Sequence, residues 1–372
     1  MQRNFRFSQV YPEFFISACL HLSTPNYTLI PSEGNSELLG LVFIRGYVLS
    51  MKLATAILLS ALILCTAGTV LASGGKPMLK TEDIHIRDPF ILPIPEEKLY
   101  YMYGTMRAMP DAGGPASFDT YVSSDLKQWE GPIRVFEAGG DFWGTGDFWA
   151  PEVHIYKGKY YLFGTFSANR VMRATQILVS NSPRGPFKPL TDRPVTPFGW
   201  QCLDGTLYVD DAGAPWIVFC HEWEQTRDGE ICAMQLTDDL KYSAGKPVLL
   251  FHGSDAPWIK HVPWLKDADA DKSFITDGPF LYRTMSGQLL MLWSSFNKDG
   301  YVQAIARSES GKVTGPWKQE PKLVFDKDGG HGMLFKTFDG KLMLALHAPN
   351  GGGMERARFL PVKEVDNKLV VK

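Results

Sequence analysis

From residue 73 onward, apolar positions alternate with polar ones or run together in groups of four to six, and no stretch sustains the spacing of an amphipathic helix. That pattern predicts β-strands throughout. Five segments repeat one design: HIRDPFILPIPEEKLYYMYGT, WAPEVHIYKGKYYLFGTFS, CLDGTLYVDDAGAPWIVFCHEW, ITDGPFLYRTMSGQLLMLWSSF and GGHGMLFKTFDGKLMLALHAPN. Each opens on a polar residue, runs through an apolar strand into a tight turn, and returns as a second apolar strand. Lys157-Gly158, Asp211 to Gly213, Ser286-Gly287 and Asp339-Gly340 supply the residues that tolerate positive φ in hairpin turns. Third and fourth elements follow, as in YVSSDLKQWEGP and AIARSESGKVTGPW. Taking Asp88, Glu152, Asp204, Asp277 and His331 as heads of the five units gives separations of 64, 52, 73 and 54 residues, the size of a four-stranded propeller blade with variable loops. The expected fold is all-β, a five-bladed β-propeller filling residues 73–372 as one domain.

The stretch from Met51, MKLATAILLSALILCTAGTVLAS, has the basic residue, short apolar run and small residues of a secretory signal peptide, with cleavage expected after Ala72. Residues 1–50 then read as an upstream mis-start, 51–72 as the signal, and the mature chain as a secreted or periplasmic protein without a membrane anchor. Composition narrows the partners. The chain is 45% hydrophobic with a net charge of −2 and no block of like charge, which excludes general disorder and argues against a nucleic-acid partner. A monomer acting on a neutral or small partner is expected. The many aromatic residues, 13% of the chain, suit sugar faces as well as packing. Cys202, Cys220 and Cys232, the cysteines after residue 72, lack C-x-x-C spacing and read as buried thiols, with one disulfide open after export.

In a propeller the first strand of each blade lines the central channel, so the five heads converge at one mouth. Second strands run antiparallel and return there, bringing Arg107, His221, Glu222, Ser294 and His347. Carboxylates and imidazoles gathered in one pocket shift each other's pKa, which points to an acid and base pair. Arg107, His221, Ser294 and His347 are candidates for holding the substrate, with Trp149 from an aromatic insert and Glu152 as an orienting group at a strand entrance.

The strings RDPFI, DFWAPEV, LDGTLYVDDAG, TDGPFLY and GGHGMLF, in that order across the mature chain, resemble glycoside hydrolase family 43, the five-bladed propeller glycosidases of plant-polysaccharide breakdown. The resemblance implies inversion by two carboxyl groups. Asp88 then corresponds to the base that activates water and Asp204 to the carboxylate that tunes and orients the acid. His331 corresponds to the axial histidine that holds a water or a calcium ion; no cofactor is otherwise required. One position departs from the family: Asp277 stands where a glutamate is usual, shorter by one methylene or roughly 1.5 Å. Glu222 at the same mouth is the favoured replacement acid, and Asp277 itself the alternative.

The function expected on this basis is removal of pentose sugars from the side chains of a plant polysaccharide, as an α-L-arabinofuranosidase or β-xylosidase. The tryptophan-rich inserts EAGGDFWGTGDFW and HGSDAPWIKHVPWLKDADADKS could wall a pocket around a terminal sugar, favouring exo action. The competing reading is a non-catalytic carbohydrate-binding propeller whose altered acid position marks lost activity.

Overall fold

The computed structural model describes residues 78–106 and 116–371, all within the compact unit Ser73–Lys372. The expected signal at 51–72, the upstream segment 1–50 and Arg107 lie outside the described residues. Five antiparallel sheets follow one another along the chain, each built from consecutive strands, which is the five-bladed β-propeller the repeats predict. Blade one comprises Arg87–Ile94, Leu99–Thr105, Ser117–Ser123 and Gln128–Glu137, with Leu79–Lys80 added at its outer edge. Blade two runs from Gly146–Tyr156 through Lys159–Ala168 and Val171–Ser180 to Lys188–Pro189. Blade three is Cys202–Val209, Pro215–His221, Glu230–Gln235 and Val248–His252. Blade four is Asp277–Arg283, Leu289–Asn297, Gly300–Ser308 and Trp317–Gln319; blade five is Gly330–Lys336, Leu342–Ala348, Arg356–Val365 and Lys368–Val371.

The apolar runs become buried middle strands, and side chains from neighbouring blades interleave as the core. Phe163, Ile177, Ile217 and Phe219 pack between blades two and three, while Phe251, Met291 and Trp293 pack between three and four. Cys202, Cys220 and Cys232 are buried and unpaired within blade three. The circle closes by hydrogen bonding: Ile86 N–H donates to the Glu355 carbonyl and His85 bridges Arg356, tying blade one to blade five.

Every innermost strand carries a bulge at the same place. In blade one the register passes from Arg87↔Thr105 to Phe90↔Tyr103, so two residues oppose one. The same step occurs after Trp149, Leu203, Asp277 and Gly330. The first bulged residue always has positive φ: Asp88 (52°), Ala150 (42°), Asp204 (55°), Gly278 (52°) and His331 (51°). Pro or Gly always follows. Left-handed backbone costs a non-glycine residue about 1–2 kcal/mol, and here it recurs at the axis, where it aims Asp88, Asp204 and His331 into the channel. Glycine is required at 278, because a Cβ there would lie 2.7 Å from the His331 ring.

This frame corrects two of the expected heads. Glu152 is the first residue after the bulge in blade two, deeper than the mouth, and the residue in the slot of Asp88 is Ala150. Asp277 precedes its bulge and shares the slot of Arg87 in blade one.

Candidate active site

Three carboxyl groups meet on the axis. Asp88 is buried, and its Oδ2 accepts a 2.6 Å hydrogen bond from the Thr105 hydroxyl. His331 Nδ1 lies 3.2 Å from Asp88 Oδ1 and 3.7 Å from Asp204 Oδ2, so one imidazole nitrogen stands between the two carboxylates. Asp204 Oδ2 also accepts the Gly278 N–H at 3.0 Å, and the Tyr301 hydroxyl donates to Asp277 Oδ2 at 2.8 Å. Asp204 lies close enough to Asp277 for its charge to act on it.

Their electrostatics divide. Burial pushes the Asp88 carboxyl up, but His331, Arg87, His347 and the Thr105 hydroxyl outweigh it and hold the group at about 2. Burial and the charge on Asp88 carry Asp204 up to about 8. Burial and Asp204 carry Asp277 up to about 7 against the pull of His331 and Tyr301. Near neutral pH the site therefore contains one ionised carboxylate, Asp88, opposite a pair that retains a proton. Because Asp204 and Asp277 interact so closely, that proton belongs to the pair.

His347 is fully enclosed. Its Nδ1 accepts the Asp88 N–H at 3.1 Å, which leaves the ring proton on Nε2, 3.1 Å from Asn350 Oδ1. Burial lowers its pKa to about 4, so it is a neutral ring that fixes the Asp88 backbone. Ser294 is likewise enclosed, accepting the His331 N–H at 2.8 Å. Both were expected to touch substrate; both instead hold backbone.

The remaining expected contacts make no hydrogen bond to the three carboxyls, although the charge of Glu152 acts on Asp204. Glu222 is clamped by Arg173, with Nε at 2.7 Å and Nη2 at 2.8 Å, and none of its hydrogen bonds reaches Asp88, Asp204 or Asp277. Burial raises Glu222 to about 7 against the pull of that guanidinium. With both oxygens accepting from a permanent cation, it is poorly placed to hold a proton for donation. Arg173 also meets Asp147 and Glu224 and lies 5.2 Å over the Trp149 ring. His221 has both ring nitrogens engaged, by Glu230 and Gln225, and stacks on Trp200 at 4.1 Å. Glu152 pairs with His154 at 2.9 Å. Of the insert tryptophans, Trp143 and Trp258 are held within the packing, whereas Trp264 is exposed against Phe296.

Arg87 and Tyr301 belong to this centre and were not singled out from the sequence, whereas Thr105 was expected at this mouth as a second-strand end. Among the described residues no group of three or more His, Cys, Asp or Glu side chains is arranged to hold a metal ion. His331 is instead oriented by two carboxylates.

A buried ionised carboxylate opposite a protonated carboxyl pair, at the mouth of a five-bladed channel, is the equipment of a propeller glycosidase. The profile of glycosyl hydrolases family 43 matches residues 81–366, and the chain belongs to that family of O-glycosyl hydrolases. Among solved structures, an endo-arabinase from Bacteroides thetaiotaomicron VPI-5482 is 44% identical, covering 79% of this chain and 99% of that one with a TM-score of 0.72. A thermostable family-43 glycoside hydrolase is 25% identical over 77% of this chain and 93% of its own, with a TM-score of 0.66. Among curated proteins, the extracellular exo-α-(1→5)-L-arabinofuranosidase of Cellvibrio japonicus is 25% identical over 78% of this chain and 84% of its own length.

Proposed function

We propose that this chain hydrolyses α-L-arabinofuranosyl linkages of a plant polysaccharide with inversion, outside the cytoplasm. The observation that carries the mechanism is the convergence of Asp88, Asp204 and Asp277 around His331, Gly278 N–H and Tyr301 at the axis, with Asp88 held low and the other two raised. Asp88, ionised throughout the working range, takes a proton from water as that water attacks the anomeric carbon. Asp277 gives its proton to the departing glycosidic oxygen. Gly278 N–H favours the charge on Asp204 and the Tyr301 hydroxyl that on Asp277, so the two share one proton, which Asp277 delivers. The acid is thus Asp277 rather than Glu222, whose Arg173 clamp sets it at the rim.

Arabinose is favoured over xylose by the names of the 44% identical endo-arabinase and of the curated exo-α-(1→5)-L-arabinofuranosidase. A neutral substrate is favoured by the cluster in which Asp147, Glu222 and Glu224 all face Arg173, an excess of carboxylates that would repel a uronate. Export is supported by the leader-like residues 51–72 and by the extracellular relative.

The test uses the chain from Ser73 with aryl α-L-arabinofuranosides, aryl β-xylosides and linear arabinan, with the anomer of the first product followed by NMR. An activated dinitrophenolate leaves without protonation, so Asp277→Asn should spare it while depressing arabinan hydrolysis by a hundredfold or more. If Glu222→Gln shows that dependence and Asp277→Asn does not, the acid is Glu222. Turnover of the xyloside alone would reassign the sugar.

A further inference from the structure

The five bulges are stitched to one another by a ring of hydrogen bonds. The Ala150 N–H of blade two donates to the Thr105 hydroxyl of blade one at 2.7 Å, and the Asp204 N–H of blade three to the Thr165 hydroxyl of blade two at 2.9 Å. His331 N–H of blade five donates to Ser294 of blade four, and Asp88 N–H of blade one to His347 of blade five. In each case the acceptor is the second-strand residue paired with the residue before the bulge of its own blade: Arg87↔Thr105, Trp149↔Thr165, Asp277↔Ser294 and Gly330↔His347. Blade three is the exception. The corresponding residue, paired with Leu203, is Cys220, and the Gly278 N–H of blade four donates to the Asp204 carboxylate instead.

We propose that Cys220 is a positioning residue: by withholding the oxygen or nitrogen acceptor that four blades supply, it leaves the Gly278 N–H to Asp204 and so fixes the Asp204 carboxylate beside Asp277. A thiol sulfur is a weak acceptor, and a buried backbone N–H takes the stronger partner within reach. Because Gly278 follows Asp277 directly, that one bond sets the spacing of the pair. It also favours the ionised form of Asp204 and so shifts the shared proton toward Asp277. This rests on the roles assigned above to Asp204 and Asp277.

The experiment compares Cys220→Thr, Cys220→Ser and Cys220→Ala in the chain from Ser73. Threonine and serine offer the oxygen found in blades one, two and four; alanine removes the sulfur and offers nothing. Carboxyl-carbon NMR of labelled aspartate, assigned through Asp204→Asn and Asp277→Asn, reads ionisation without reference to activity. A hydroxyl at 220 draws the Gly278 N–H away, and Asp204 loses a hydrogen bond to its charged form. Its ionisation constant should fall about tenfold, with kcat falling by a similar factor and KM unchanged, as the proton moves from Asp277 to Asp204. Cys220→Ala should leave the Asp204 titration in place. The proposal is overturned if alanine shifts Asp204 as serine does, if neither hydroxyl variant shifts it, or if Cys220→Ser fails to fold, since an oxygen must fit there. A shift in Asp204 with kcat unmoved would uphold the positioning and refute the assignment of Asp277 as acid.

Discussion

Removing the Tyr301 hydroxyl is the most direct way to tune Asp277, the proposed acid. In Tyr301→Phe the ring keeps its packing, parallel to His347 within 16° at 5.6 Å, while Asp277 loses the 2.8 Å bond from the phenol. That bond favours the charged carboxylate and therefore lowers the Asp277 pKa. A hydrogen bond to a charged group is worth about 1.5–3 kcal/mol, and 1.36 kcal/mol corresponds to one pH unit, so its loss should raise the ionisation of the acid by about one to two units from about 7. The acid must be protonated to act, so activity lost on the alkaline side of the profile is recovered: the alkaline limb of kcat moves to higher pH by that amount, with the acidic limb unchanged. The measurement is kcat against pH on a substrate with a poor leaving group, with the dinitrophenyl arabinofuranoside as control because its cleavage needs no proton. An alkaline limb that stays in place or moves to lower pH in a folded variant would refute the reasoning.

Asp277→Asn should also raise stability in a pH-dependent way. The folded-state pKa is raised from 3.8 to about 7, so the native state binds the proton more tightly than the unfolded one, and the wild type loses stability as pH rises through that window. The gain on substitution should be small at pH 4 and reach on the order of 2–4 kcal/mol at pH 8, read as the difference in melting temperature; equal gains at both pH values would contradict it. Arg173→Met should cost about 3–5 kcal/mol by leaving Glu222 buried without its partner, and adding Glu222→Gln should recover much of that in denaturant titrations. Additive losses would show that the clamp carries no coupling. Chelator treatment should change neither the melting temperature nor the rate, since His331 Nδ1 already faces the Asp88 and Asp204 carboxylates; a fall in both would assign an ion there.

The repeat itself was legible because each blade must bury two faces, which writes apolar runs and turn residues into the chain at blade spacing. Asp88, Asp204 and His331 were found for the same reason, each heading an axial strand. The frame slipped in blades two and four because carboxylates were aligned with carboxylates, whereas the backbone repeats a positive-φ residue followed by Pro or Gly. Aligning Asp88-Pro89, Ala150-Pro151, Asp204-Gly205, Gly278-Pro279 and His331-Gly332 gives the observed frame directly. Glu222 was favoured as acid on side-chain length, but the charge that fixes it, Arg173, comes from another blade 49 residues away. Local sequence carries no record of that pairing. Tyr301 was missed for a topological reason. Second strands end at the mouth, so the third strands begin there, and their first residues deserve the same scrutiny as strand heads. Tyr301 follows directly on the Asn297 to Gly300 turn, while Arg173 and Glu230 occupy the same kind of entrance in blades two and three. In an antiparallel meander the chemistry at a channel mouth is drawn from three places in each blade, and a search limited to the first two finds Asp88 and Asp204 while missing the phenol that donates to Asp277.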